Sequence, residues 1–93
     1  MSEKIRVREL AEHQYAVDVT EGSIQTHHRV IVPDDLLADL GLAGADEELV
    51  VRESFAFLLD REPVTSIDEE FPLDIVVGRF ADFGEEMRTR LAS

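Results

Sequence analysis

Three histidines, His13, His27 and His28, are the side chains of this sequence best suited to hold a metal ion. His27 and His28 are neighbours in a predicted strand, so their side chains leave opposite faces and cannot grip one ion. The sequence has no cysteine, and it shows neither a His-x3-His nor an Asp-x-Asp-x-Asp-Gly spacing. We therefore expect no metal and no other cofactor, and we interpret His28 as a half-buried residue beside Tyr15.

Pairs of adjacent acids could supply the general acid and the general base of a hydrolase. The pairs are Asp34-Asp35, Glu47-Glu48, Glu69-Glu70 and Glu85-Glu86. Each falls in the first turn of a predicted helix, where the helix dipole accounts for it. A catalytic pair needs one carboxyl group in an apolar pocket, and the sequence indicates none. No Gly-x-Ser-x-Gly and no phosphate-loop spacing occurs, so we predict that the protein is not an enzyme.

The basic residues of the first half of the chain are the candidates for an interaction site. A strand interpretation places them on one outer face, together with polar neighbours: Lys4, Arg6, Arg8, Gln14, Gln25, His27 and Arg29. Asp18 is the acid expected among them. In one interpretation the face is solvated and Asp18 bridges Arg6 and its neighbours, with pairs worth about 0–1 kcal/mol each. In the other, the arginines bind the carboxylates of an acidic partner.

Composition narrows the choice of partner. The chain has 93 residues with 21 acids against 9 bases, a net charge of −12. Such a charge repels nucleic-acid phosphates and anionic membranes at long range. An acid excess with only one lysine, Lys4, among the nine bases is also typical of a salt-adapted organism or a GC-rich genome. The first residues lack the apolar core of a signal peptide, and no apolar run approaches the roughly 20 residues that span a membrane. We therefore expect a cytoplasmic protein.

Three stretches of alternating apolar and polar residues predict an antiparallel meander over about residues 3–33. The first connection needs an odd number of residues, because an even loop would turn Arg6 and Arg8 into the core. A three-residue loop over 11–13 meets this condition. The pairs that it predicts are Ile5 with Val19, Val7 with Val17, and Arg6 with Asp18.

The second hairpin is predicted at Glu21-Gly22, because Gly22 can adopt the positive φ of a tight turn. The predicted pairs on the inner face are Val19 with Ile24, Val17 with Thr26, and Tyr15 with His28. All the apolar side chains of the meander then share one face.

The rest of the chain, about residues 34–92, is predicted to be helical. Asp34 and Asp35 begin a first helix, and Gly41 is its left-handed stop residue. Asp46 caps a second helix over about 47–61, whose broad apolar arc predicts a place at the centre of the core.

Three shorter helical segments are predicted after Pro63. Ser66 and Glu69 match a capping box that starts a helical turn, which Pro72 breaks. Asp74 can cap the next helix. Gly84 separates it from a final helix, in which Glu86 and Arg90 form an ion pair one turn apart.

One segment in the second half of the chain resembles part of a known group of proteins. The run Glu53-Ser-Phe-Ala-Phe-Leu-Leu-Asp-Arg-Glu-Pro-Val-Thr-Ser-Ile, with the later Phe71-Pro-Leu-Asp-Ile and Phe80-Ala-Asp-Phe, resembles a group of small uncharacterised bacterial proteins. The likeness covers roughly residues 46–91. It implies that Arg61-Glu62-Pro63 and Ser66 form a fixed helix-turn-helix corner, and it implies no activity.

These patterns together predict a single α+β domain over residues 1–93, a three-stranded antiparallel meander packed on three or four C-terminal helices. The predicted role is a non-enzymatic one that acts through protein contacts, with homodimerisation through the sheet face as one form of it. The alternative is a nucleic-acid-associated regulator that uses the same face, and a small hydrolase comes third. The predicted interaction residues are Lys4, Arg6, Arg8, His27 and Arg29.

Overall fold

The computed structural model describes residues 3–92, which form an α+β arrangement around a four-stranded sheet. Strands β1 (Glu3–Ala11), β2 (Gln14–Glu21) and β3 (Ile24–Ile31) form the predicted antiparallel meander. A fourth strand, β4 (Glu70–Pro72), runs parallel to β3. The strand order is β1-β2-β3-β4, so β1 and β4 are the two edges of the sheet.

The first hairpin has the predicted register. Its pairs include Ile5 with Val19, Arg6 with Asp18, and Val7 with Val17. The extra residue that this register needs lies within β1, because the pairing is irregular between Glu9 and Ala11. His13 follows in the turn with a φ of 64°, a value that few residues other than glycine adopt. The bulge and the turn together keep the arginines of β1 on the outer face.

The predicted register of the second hairpin is wrong by two residues. The observed pairs include Glu21 with Ile24, Val19 with Thr26, Val17 with His28, and Tyr15 with Val30. Gly22, with a φ of 63°, is the first of the two turn residues Gly22 and Ser23, the position at which a tight hairpin turn needs glycine, whereas pairing Val19 with Ile24 would put Glu21 at that position. A shift of two residues leaves every side chain on its predicted face. His28 consequently lies beside Val17 rather than beside Tyr15.

Strand β4 was not predicted from the sequence. Its residues pair with the end of β3: Glu70 with Arg29, Phe71 with Val30, and Pro72 with Ile31. The Arg29 N–H donates to the Glu69 carbonyl at 2.7 Å, and the Leu73 N–H donates to the Ile31 carbonyl at 2.8 Å. Pro72, which has no N–H to donate, is tolerated because β4 is an edge strand.

The helical turn predicted from Ser66 is absent. A 3-10 turn, Val64–Ser66, ends at this residue, and the chain then extends into β4. The helix-turn-helix corner is therefore a helix, a 3-10 turn and a strand. Ile67 and Phe71 are both buried in the core, and burying both side chains accounts for the extended backbone between them.

The first helix ends as predicted. Helix α1 (Leu36–Asp39) is short, and Gly41 follows it with a φ of 75°. The Leu42 N–H donates to the Leu37 carbonyl at 2.7 Å, and the Gly41 N–H donates to the Ala38 carbonyl at 3.1 Å. These two bonds are the Schellman arrangement, which satisfies the last carbonyls of a helix.

Helix α2 (Glu47–Leu59) is the central element of the core and stops two residues before the predicted end. The Asp46 side chain accepts a hydrogen bond from the Glu48 N–H at 3.0 Å, as predicted for an N-cap. The helix contacts β1 and β2 on one side and α4 on the other. Its buried residues are Val50, Val51, Ser54, Phe55, Phe57, Leu58 and Leu59.

Two helices complete the chain, α3 (Asp74–Arg79) and α4 (Phe83–Leu91). Asp74 is the first helical residue and not the predicted cap, and Gly84 lies inside α4 rather than before it. The predicted ion pair within α4 is present, with 3.5 Å between Arg90 Nε and Glu86 Oε1. Within residues 3–92, none of the helices has both the length and the apolar character that crossing a bilayer requires.

Candidate functional site

The five predicted interaction residues lie on one face of the sheet. Lys4, Arg6 and Arg8 alternate along β1, and His27 and Arg29 alternate along β3. All five are exposed, whereas the residues between them point inward and are half-buried or buried. The strand geometry that predicted this face therefore holds. We call Lys4, Arg6 and Arg8 the basic stripe.

The basic stripe meets short or neutral neighbours on β2. Lys4 lies opposite Thr20, and Arg8 lies opposite Ala16. Successive members of the stripe are about 6.6 Å apart, because every second residue of a strand faces the same way. The charged ends of these three side chains are therefore exposed to solvent. A shallow cleft of about 330 Å³ lies here, lined by Arg6, Val7, Arg8 and Asp18.

Asp18, the acid expected to bridge Arg6, is bonded elsewhere. Its Oδ1 atom lies 2.7 Å from Nδ1 of His27 on the neighbouring strand. No ion pair joins Arg6 to it within the side chains described, although Arg6 and Asp18 are register partners. The bridge from Asp18 to Arg6, one part of the solvated interpretation, is thus absent among the described side chains, whereas the face itself is exposed.

Arg29 differs from the basic stripe because β4 brings an acid beside it. Arg29 Nη1 lies 3.8 Å from Glu70 Oε2, and both side chains are more than half exposed. An exposed pair at this distance contributes about 0–1 kcal/mol. The face is therefore divided: its β4 side carries Glu69 and Glu70, and its β1 side carries the basic stripe.

The arginines of the helical half all have polar partners, in contrast to the basic stripe. Their contacts are Arg52 with Glu48 at 3.9 Å, Arg61 with Asp82 at 2.7 Å, Arg79 with Glu62 at 2.8 Å, Arg88 with the Leu40 carbonyl at 2.6 Å, and Arg90 with Asp60 at 3.1 Å. Among the side chains of residues 4–92, neither a hydrogen bond nor an ion pair reaches Lys4, Arg6 or Arg8. These bases therefore have no acidic partner among the side chains described, although the chain has 21 acids.

A second polar cluster joins the first hairpin to helix α2. His13 Nδ1 donates to Glu47 Oε2 at 2.8 Å, and the Tyr15 hydroxyl donates to Glu47 Oε1 at 2.9 Å. His13 Nε2 also lies 3.2 Å from Asp34 Oδ1. Both carboxylate oxygens of Glu47 and both ring nitrogens of His13 are thus engaged. This arrangement suits a structural tie better than a site with a free general base.

The electrostatics of this cluster favour protonated His13 and neutral Tyr15. The hydrogen bond to Glu47 raises the pKa of His13 above its ordinary value of 6.5, with partial burial opposing it and nearby carboxylates assisting. Burial, and then the hydrogen bond to Glu47, raises the pKa of Tyr15 above its ordinary value of 10.0. The sequence places Glu47 at a helix start, where the dipole explains an acid, so nothing in the pattern indicates that it meets the hairpin.

His28 is a further polar residue of the inner face. Its Nδ1 donates to the Asp68 carbonyl at 2.7 Å, and its Nε2 lies 2.8 Å from Thr26 Oγ1. The ring packs on Phe55 with 5.2 Å between ring centroids. His28 therefore holds the segment before β4 against the sheet. A metal role finds no support here, because among the residues described no group of three His, Cys, Asp or Glu side chains could hold an ion.

Comparison of this chain with family models, with curated proteins and with solved structures finds no match. Its function must therefore be argued from the residues themselves.

Proposed function

We propose that this protein is a non-enzymatic binding protein whose basic stripe docks an acidic protein partner. One observation supports the proposal most directly. Three adjacent exposed bases have no acidic partner among the described side chains of a chain with a net charge of −12, whereas every arginine of the helical half has a polar partner. So acidic a chain has many carboxylates that could form ion pairs with these bases. Because none of the described side chains does so, we favour a role for the basic stripe in contacts with another molecule.

Arginine chemistry favours carboxylates as the groups that are bound. A guanidinium presents a planar fork of donors that matches a carboxylate in two parallel hydrogen bonds. Arg6 and Arg8 both offer such forks without first breaking an ion pair to any side chain that the structure describes. The stripe acts at short range, because a Debye length of about 8 Å at physiological salt screens the remote acids of the helical half.

Nucleic acid is a weaker candidate for the same face. Three bases can neutralise only a few phosphates, and Glu69 and Glu70 border the other side of the face. A band-shift assay at about 50 mM salt tests this alternative, because counterion release favours binding there.

A second copy of the chain is the other alternative. A two-fold contact through the stripe itself would place like charges opposite each other, which is unfavourable. A homodimer would instead have to bring the acidic helices of one copy to the stripe of the other. Size-exclusion chromatography at low and high salt measures whether such a dimer forms.

The test of the main proposal uses a fluorescein-labelled octaglutamate peptide and fluorescence anisotropy. We expect binding to the native chain and at least a tenfold weaker affinity for the variant K4Q/R6Q/R8Q, equivalent to about 1.4 kcal/mol. The control is R52Q, which removes an exposed arginine whose pair with Glu48 is long, at 3.9 Å. Equal binding by the triple variant, or no binding to the native chain at millimolar protein, would overturn the proposal.

A further inference from the structure

At the free edge of the sheet, the inward-facing side chains of β1 are less buried than those of the neighbouring strand β2. On the inner layer, Ile5 lies opposite Val19 and Val7 lies opposite Val17. The two valines of β2 are 0% exposed, whereas Ile5 and Val7 are half-buried although α2 packs on the same side. The cause is that β2 has a strand on each side and β1 has a strand on one side only.

The two edges of the sheet are also unequal. β4 presents three residues that include Pro72, whereas β1 presents nine residues without proline. An unpaired strand offers a row of N–H and C=O groups to another extended segment. Natural edges are protected by proline, by short length, by bulges or by charge; β1 has a bulge between Glu9 and Ala11 at its end and the charges of the basic stripe along the rest.

The charge on β1 selects its partner. If the β1 of a second copy paired antiparallel about Arg6, the two Arg6 side chains would be opposed, and Lys4 would oppose Arg8. Like charges directly opposite each other destabilise a strand pair, so the stripe disfavours this self-pairing. Acidic residues at alternate positions of an added strand would instead lie across from Lys4, Arg6 and Arg8. The intervening residues would face inward, where apolar side chains would cover Ile5 and Val7.

We infer that β1 binds its partner by strand addition, and that the partner is an extended segment in which acidic and apolar residues alternate. This inference rests on the proposed function, because it assigns the binding mode and the partner chemistry of the same basic stripe. Main-chain hydrogen bonds would supply part of the affinity, and the alternating side chains would supply the specificity.

The test compares four peptides of equal charge. The first is acetyl-Glu-Val-Glu-Val-Glu-Val-Glu-amide, the second has the same composition in blocks (Glu-Glu-Val-Val-Val-Glu-Glu), and the third is the first with N-methyl groups on the valines. A matched peptide methylated on the glutamates covers the case in which the valine amides point away from β1. Binding is measured by anisotropy, and the contacted residues are found by NMR amide exchange.

We expect the alternating peptide to bind and to slow the exchange of β1 amides. We expect the block peptide and one of the two methylated peptides to bind at least tenfold more weakly. The variant R6E should lose binding to the alternating peptide, and R52E, an exposed helix arginine reversed in the same way, should retain it.

Three results would overturn the inference in distinguishable ways. If the block peptide and both methylated peptides bind as well as the alternating one and R6E still weakens them all, strand addition is wrong and the electrostatic docking stands. If none of the acidic peptides binds at millimolar protein, both proposals are wrong. Slowed exchange of β1 amides that grows with protein concentration, without peptide, would identify a second copy as the occupant and overturn the inference.

Discussion

His13 Nδ1 lies 2.8 Å from Glu47 Oε2, so the turn between β1 and β2 is tied to the first turn of α2. The tie joins residues that are 34 positions apart in the sequence. The hairpin turn that follows the basic stripe is thereby fixed to the central helix of the core. This contact gives the molecule a pH dependence whose sign can be derived.

We expect the stability contributed by His13 to be lost as the pH rises. The hydrogen bond to Glu47 raises the pKa of His13 in the folded state, so folding favours the protonated ring. That stability is fully present below about pH 6.5, the unfolded value, and disappears as the pH rises through the higher folded value. The variant H13N, chosen because asparagine tolerates a positive φ, should therefore show a flatter pH dependence of Tm than the native chain between about pH 5.5 and 8.5.

The control for this measurement is H27Q, which removes an exposed histidine of the outer face that is bonded to Asp18. It should keep the steeper slope that we assign to His13. Parallel pH profiles for H13N and the native chain would show that the contact with Glu47 does not govern stability in this range.

Tyr15→Phe should destabilise the chain at neutral pH and lessen its sensitivity to alkali. The substitution removes a buried hydroxyl that donates to Glu47 Oε1 at 2.9 Å, a loss of about 1.5–3 kcal/mol for a bond to a charged acceptor. Because the folded state raises the pKa of Tyr15, its contribution is complete below about pH 10 and is lost as the pH rises further. Urea unfolding at about pH 7 and pH 11 measures both effects. A larger loss of stability in the variant than in the native chain on going to pH 11 would contradict this assignment.

His28→Leu should loosen β4 more than it loosens the meander. The ring donates to the Asp68 carbonyl at 2.7 Å and thereby holds the chain before β4. We expect about 1–3 kcal/mol of destabilisation from the lost hydrogen bonds. Amide exchange should accelerate most at Arg29, whose N–H donates to Glu69, while Val17 changes less. The variant T26V, which keeps the bond to Asp68, is the control, and equal acceleration at Arg29 in both variants would contradict the role given to His28.

Two glycines should respond in opposite directions to alanine. Gly41 has a φ of 75° in the Schellman turn, and an added Cβ would lie 3.4 Å from Arg88 Cδ, so G41A should destabilise the chain by about 1 kcal/mol. Gly78 lies in α3 with open space around it, so G78A should stabilise the chain by about 0.5–1 kcal/mol. Thermal unfolding of both variants measures the difference, and a stabilised G41A would contradict the assigned turn.

The strand faces were predictable because a single physical condition decides them. Turning Arg6 inward would bury an unpaired charge, and this excludes every register of the first hairpin that is shifted by one residue. The second register was missed by two residues, yet a shift of two preserves the face, and His27 and Arg29 were placed correctly.

The elements that were missed depend on tertiary contacts. β4 has three residues, too few to show an alternating pattern. In addition, Ser66 and Glu69 have the spacing of a capping box, which predicted a helix where the structure has a 3-10 turn followed by a strand. The tie between His13 and Glu47 depends on where α2 crosses the hairpin, which the periodicity of neither segment specifies. The pairing of Asp18 with His27 likewise depends on the register of the second hairpin, where the prediction was wrong.

Removing Arg6 should leave stability almost unchanged, whereas removing Arg90 should not. Arg6 has no ion pair among the described side chains, so R6Q should change the free energy of unfolding by less than about 0.5 kcal/mol. Arg90 lies within 3.5 Å of Glu53, Asp60 and Glu86, and R90Q would leave these three acids close together without a base, a loss of about 1–2 kcal/mol. Urea unfolding of the two variants measures the contrast. If R6Q destabilised the chain as much as R90Q, the basic stripe would be part of what stabilises the fold, and the argument that it is kept for binding would fail.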